Sequence, residues 1–122
     1  NVERISVLEK TDIRDISSRL KESFGIVVVD VAFISISKII KDIELVARKG
    51  GNIILLYKPQ FEVGKRNISK NGVVKKEIDT QKILGHFLKS LEKSSLNFVK
   101  CRKAYITGKK GNQEIFVHLK KC

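Results

Sequence analysis

Three residues combine the types and positions that proton-transfer chemistry needs: Asp30, Lys58 and Glu114. Asp30 closes the apolar run Ile26-Val27-Val28-Val29. Lys58 closes Ile53-Ile54-Leu55-Leu56-Tyr57 and is followed at once by Pro59, and Glu114 opens the last apolar segment. Ligands of open α/β sheets bind outside the carboxyl ends of the strands, so an acid and a lysine at two consecutive strand ends face one crevice. Glu114 reaches that end only if its strand runs antiparallel to the rest. Two carboxylates can hold and orient an ammonium group whose burial lowers its pKa toward neutrality, which makes lysine a candidate base for removing a hydroxyl proton. Blander roles compete. Asp30 can cap the next turn, Lys58 can lay its stem along the sheet edge, and Glu114 can be a solvated acid at a strand start.

The elements that must position these groups alternate along the chain. Periodicity gives a strand over 4–9, a helix over 15–23, a strand over 26–30 and a helix over 37–48. The second helix has an apolar face of Ile36, Ile39, Ile40, Ile43, Val46 and Ala47, with Gly50-Gly51 read as its terminator. A strand follows over 52–58. The strand that Asp30 closes is expected to be buried on both faces. Residues 59–76 show no sustained period and include Gly64 and Asn71-Gly72, which reads as a lid or binding loop. Asp79 caps a helix running to about residue 95, with Ile83, Leu84, Phe87, Leu88 and Leu91 on one face. Strands over 98–106 and 114–119 flank the turn 108–112 as a hairpin. The fold class is therefore α/β, a mostly parallel sheet with a C-terminal antiparallel hairpin.

Composition narrows the partners. A chain of 122 residues is one domain or part of one. Its 25 Lys and Arg against 13 Asp and Glu leave a net charge of +12, and the pI of 9.9 favours a polyanion such as nucleic acid. A solvated basic surface is the alternative source of that charge. Lys65, Arg66, Lys70, Lys75 and Lys76 cluster in the 59–76 loop as candidate phosphate contacts. Cys101 and Cys122 have no neighbours at metal-ligand spacing, no metal site is expected, and the low cysteine count fits a reducing cytoplasm. The stretch 26–40 is broken by Asp30, Ser35, Ser37 and Lys38 and is too short to span a bilayer, so no membrane partner is expected. Phe33 and Phe61 flank the crevice, where they can contact a cofactor or base, or pack in the core.

These residues lie in segments that resemble the hemolysin A (TlyA) family, in the FtsJ-like group of ribosomal RNA ribose 2'-O-methyltransferases. The segments are VVVDVAFIS at 27–35, LLYKPQFEVGK at 55–65, KNGVV at 70–74 and ITGKKGNQEIFVHL at 106–119, with weaker likeness in LEKTDIRD at 8–15. The resemblance implies a partial Rossmann-like fold, S-adenosylmethionine as cofactor, ribosomal RNA or a ribosomal subunit as partner, and a Lys-Asp-Lys-Glu tetrad. Asp30, Lys58 and Glu114 match its last three members, and the first lysine has no counterpart. It also places Asp12 where related enzymes contact the cofactor's adenine, although Asp12 can equally start a helix, and it makes Asp30 and Phe33 cofactor neighbours.

The family's glycine-rich cofactor turn and amino-terminal S4-type RNA-binding module have no counterpart in 1–122. The chain is thus expected to be the C-terminal portion of the methyltransferase domain, inactive by itself. The family strand order 3-2-1-4-5-7-6 would leave the Asp30 strand with an unpaired edge, open to homodimerisation. Two other readings stand beside the enzyme: a non-catalytic RNA-binding or assembly module and, following the family's name, a hemolysin-like membrane-active protein.

Overall fold

The computed structural model describes residues 3–108 and 110–122. Lys109, in the expected 108–112 turn, lies outside them. Four strands, β1 (Phe24–Val29), β2 (Ala47–Tyr57), β3 (Leu96–Lys103) and β4 (Ile115–Lys121), form one sheet in the order β1-β2-β4-β3. The β1/β2 pair is parallel, and β4 runs antiparallel to both β2 and β3. The hairpin reading therefore holds, and β4 inserts between β2 and β3. The antiparallel course of β4 is what carries Glu114 to the tips of β1 and β2.

Helices cover one face. α1 is a single turn (Ile13–Ile16). A 3-10 turn (Ile36–Ile39) leads into α2 (Ile40–Val46), and α3 (Thr80–Ser90) ends in a further 3-10 turn (Leu91–Lys93). Asp79 caps α3, its carboxylate accepting the Lys82 amide hydrogen bond at 3.1 Å. Ile36, Ile39 and Ile43 from the α2 side and Leu84, Phe87 and Leu91 from the α3 side bury themselves on Ile53, Leu55, Tyr57, Val117 and Leu119. The Phe87 ring lies 5.4 Å from that of Tyr57.

Several local expectations change. Residues 4–9 form turns and open coil rather than a strand, with Ile5, Val7 and Leu8 exposed. Their alternation has no neighbouring strand to supply ladder hydrogen bonds. Of the expected 15–23 helix only residues 15 and 16 are helical, at the end of α1; Ser17, next in the chain, is buried and donates to Asp42 at 2.7 Å. The glycine pair does not end a helix. β2 starts already at Ala47, and Gly50, with φ +82°, helps form an irregularity between the Phe24 and Ile26 pairings. A Cβ on Gly51 would meet the Arg48 carbonyl oxygen at 2.8 Å and that of Gly25 at 3.0 Å, so only glycine fits. β1 is buried on one face, not two: Ile26 and Val28 are each 72% exposed. The layer of α2 and α3 covers only the opposite face.

Candidate active site

Strand register brings the three singled-out residues to one end of the sheet. Val29 pairs with Leu55 in the parallel ladder, so Asp30 and Lys58 leave neighbouring strand tips. Tyr57 pairs with Ile115, which sets Glu114 across from Lys58 in the antiparallel ladder. Alternation also gives all three the same facing. Asp30 continues the set Ile26 and Val28, Lys58 continues Ile54 and Leu56, and Glu114 continues Phe116, on the face without helices. Lys58 is itself extended, with φ −115° and ψ 100°, so the alternation reaches it.

The acid and the lysine form an ion pair. Lys58 Nζ lies 2.5 Å from Asp30 Oδ1, with the lysine side chain 14% exposed and the aspartate 64% exposed. The lysine therefore depends on the contact more than the aspartate does, because water can solvate Asp30 alone. Glu114 does not complete a direct triad. Among the described residues no ion pair joins it to Lys58, and its Oε2 instead accepts a hydrogen bond from Gln60 Nε2 at 2.8 Å. Pro59 opens the 3-10 turn Pro59–Phe61, and that turn sets Gln60 against the glutamate.

Glu62 follows the same turn. Its Oε1 accepts from the Ser35 hydroxyl at 2.7 Å and its Oε2 from the Ile36 amide at 2.9 Å. Burial pushes its carboxyl above the usual range, and the bonds from Ser35 and Ile36 offset part of that rise. Burial, and secondarily the charge of Glu62, raise the Tyr57 phenol as well.

The other candidates fall in three places. Phe33 does not pack in the core. It is 90% exposed with φ +62°, and its ring centre lies 5.0 Å from that of Phe61. Asp12 caps α1, accepting from the Arg14 amide at 2.8 Å and pairing with the Arg14 guanidinium at 2.7 Å. These Arg14 contacts hold its carboxyl down at about 2, and no hydrogen bond or ion pair ties it to Asp30, Lys58 or Glu114 among the described residues. Lys65, Arg66, Lys70, Lys75 and Lys76 are all exposed. Their loop is fastened rather than loose. The buried Asn112 side chain accepts from the Val74 amide at 2.9 Å and donates to the Gly72 carbonyl at 2.9 Å, and Ile68 and Val74 form an antiparallel bridge.

Gln60, Glu62 and Asn112 are the positions that residue chemistry alone did not single out. The only signal for them lay in the segments KPQFE and GNQE, where they stand beside the candidates.

A sheet whose parallel strand pair carries charged groups at its carboxyl tips, backed by helices, defines a Rossmann-like α/β protein of the kind found among methyltransferases. The O-methyltransferase from Bacillus cereus, solved in complex with SAH, shares the fold with a TM-score of 0.51 at 16% identity, over 89% of this chain and 46% of that one. Within that class the chain belongs to the FtsJ-like methyltransferase family, whose sequence profile matches residues 1–121. It is 40% identical to the 23S rRNA (cytidine-2'-O)-methyltransferase TlyA of Campylobacter jejuni, over 95% of this chain and 45% of that protein. It is 30% identical to hemolysin A of Brachyspira hyodysenteriae, over 97% and 50% respectively. A Lactococcus lactis crystal structure that carries a hemolysin name superposes with a TM-score of 0.88 at 28% identity, covering 99% of this chain and 59% of that one. The chain thus spans about half the length of the curated relatives it matches.

Proposed function

We propose that this chain supplies the C-terminal, catalytic portion of an S-adenosylmethionine-dependent ribose 2'-O-methyltransferase acting on ribosomal RNA in the cytoplasm. The observation that carries the reading is the Asp30–Lys58 ion pair at adjacent strand tips, with Glu114 in register beside it. Family membership and the names of the TlyA relatives support the reaction class. Lys58 rests as the ammonium partner of Asp30; once it has released that proton to solvent it takes the 2'-hydroxyl proton, and Asp30 holds the ammonium that re-forms. Glu114 acts through Gln60, steadying the turn that follows Lys58.

The residues present fit one side of the cofactor. The exposed ring of Phe33 and the exposed Asp30 carboxylate offer a π face and an anion to a cationic group. Phe33 and Asp30 would hold it from this chain, with Asp12 as the third candidate. When bound, S-adenosylmethionine supplies an electrophilic methyl group. Lys65, Arg66, Lys70, Lys75 and Lys76 bind RNA phosphates from their fastened loop.

The family's glycine-rich turn and S4-type module belong, on this reading, to sequence upstream of the present residues, and 1–122 alone transfers no methyl group. β1 is an edge strand of the described sheet and offers its free side to a second copy as a homodimer contact. A membrane-active role has less support: no described helix is long and apolar enough to cross a membrane. The experiment is methyl transfer to ribosomal RNA by the chain extended upstream, compared with its Lys58→Ala variant. Unchanged transfer in that variant removes Lys58 from the mechanism. RNA binding with steep salt dependence but no calorimetric signal for S-adenosylmethionine would favour the non-catalytic module instead.

A further inference from the structure

Two loops carry the Asp30–Lys58 pair, one running from β1 to the 3-10 turn before α2 and the other leaving β2. Side chains join them in three successive rungs. Lys58 meets Asp30, Phe61 meets Phe33, and Glu62 meets Ser35 and Ile36. The outermost rung has the best-defined geometry: one half-buried carboxylate accepts from a hydroxyl at 2.7 Å and from a backbone amide at 2.9 Å. Ser35 is also the N-cap of the Ile36–Ile39 turn, so Glu62 grips the start of the α2 segment, five residues past Asp30. The same glutamate stands four residues past Lys58, where its amide bonds the Pro59 carbonyl at 2.9 Å. Phe33, in the middle rung, has φ +62°, a backbone state uncommon for a bulky residue.

We propose that Glu62 is a positioning residue of the active site, setting the distance between the loops that carry Asp30 and Lys58. The inference rests on the methyltransferase reading for its kinetic consequence but not for its structural one. Burial works against its ionised form, and the hydrogen bonds from Ser35 and Ile36 offset part of that. A charge-free group of the same shape can make the same bonds: the carbonyl of a glutamine accepts from the Ile36 amide, and its amide donates to the Ser35 oxygen once that hydroxyl rotates.

The test uses the chain extended upstream, with ribosomal RNA and S-adenosylmethionine as substrates. Glu62→Ala is expected to lower kcat by about tenfold or more, in line with the sensitivity of catalysis to misplacement by an ångström, while the KM for RNA stays within about twofold. Glu62→Gln restores most of kcat. Ser35→Ala, which removes one of the two bonds, lowers kcat by several-fold and serves as the decisive variant if Glu62→Ala fails to fold. An unchanged kcat in Glu62→Ala or Ser35→Ala overturns the proposal. So does a Glu62→Gln variant as slow as Glu62→Ala, which would mean that the charge acts rather than the geometry. A crystal structure of Glu62→Ala within residues 1–122 gives the second readout, with Lys58 Nζ and Asp30 expected to separate beyond the roughly 4 Å limit of an ion pair. An intact pair there also overturns the proposal. If instead Lys58→Ala transfers methyl groups normally, the enzymatic reading fails while the separation still judges Glu62.

Discussion

The Asp30–Lys58 pair is unequal, and the inequality predicts opposite outcomes for stability and activity. Lys58 is 14% exposed and Asp30 64%. Asp30→Ala leaves an ammonium largely withdrawn from water with no counter-ion. Removing one partner of a fully buried pair costs about 3–5 kcal/mol, and exposed pairs are worth about 0.2–1 kcal/mol. A pair buried on one side only falls between, so Asp30→Ala is expected to cost about 1–2 kcal/mol. Lys58→Met keeps the apolar stem along the sheet, and the orphaned Asp30 is already mostly hydrated, so its cost is about 0.5 kcal/mol or less. The double variant should resemble Lys58→Met, since no buried charge remains, so the coupling should equal the Asp30→Ala cost, about 1–2 kcal/mol. Urea unfolding of the four proteins at neutral pH measures this through the midpoint at constant m value. Methyl transfer by the upstream-extended versions should run the other way, with Lys58→Met losing about 10²-fold or more despite its intact fold. If Lys58→Met destabilises as much as Asp30→Ala, or if the two costs simply add, the lysine is not the dependent partner of the pair.

Three further outcomes follow from the same architecture. Asn112→Ala removes the two bonds that fasten Gly72 and Val74; it should cost about 1–3 kcal/mol and speed hydrogen exchange at the Val74 amide, and unchanged protection there would count against a fastened loop. Glu62 titrates in the folded protein above its ordinary 4.5, so as pH rises through 4.5 the unfolded chain gives up the proton first and the wild type loses stability. Thermal unfolding at pH 4 and pH 7 should therefore show Glu62→Gln gaining on the wild type as pH rises, and a pH-independent difference would contradict the burial of that carboxylate. Replacing Lys75 and Lys76 together by Ala should lower the slope of log K against log salt for single-stranded RNA by about 0.7 for each phosphate that the pair neutralises, whereas an unchanged slope would remove these lysines from the RNA path.

What was legible in the sequence was local and periodic. The runs ending at Asp30 and Lys58 marked strand tips to within one residue, Asp79 marked the start of α3, and the spacing of Leu84, Phe87 and Leu91 marked its buried face. What was not legible depended on neighbours. Ile5, Ser6 and Val7 alternate like a strand, but alternation does not supply the partner whose carbonyls and amides a strand must meet. The run Val27-Val28-Val29 is equally apolar for one covered face or two, and only the layer count separates them. Gly50-Gly51 carries the signature of a helix end and serves an irregular pairing with β1 instead, because the close approach of the Gly25 carbonyl leaves no room for a side chain. Glu62 reaches partners 26 and 27 residues away, a distance no short-range pattern records.

The parity of the sheet connects these observations. On β2, odd positions from Ile53 to Tyr57 face the helices and are fully buried; even positions, Ile54, Leu56 and then Lys58, face away. Val27 and Val29 against Ile26, Val28 and Asp30 repeat the division on β1, as Ile115 and Val117 against Glu114 and Phe116 do on β4. The helical layer thus fixes the strands from one side while the candidate chemistry emerges on the other, so packing errors under α2 and α3 reach the site only by moving the strand tips. The three rungs from Asp30–Lys58 to Glu62–Ser35 lie beyond the last ladder pairing of β1 with β2, Val29 with Leu55, where the sheet's own hydrogen bonds no longer fix the separation of the chains. At that point side chains must do what the ladder does elsewhere. A carboxylate able to accept from a hydroxyl and a backbone amide at once is suited to that task even at a cost in burial.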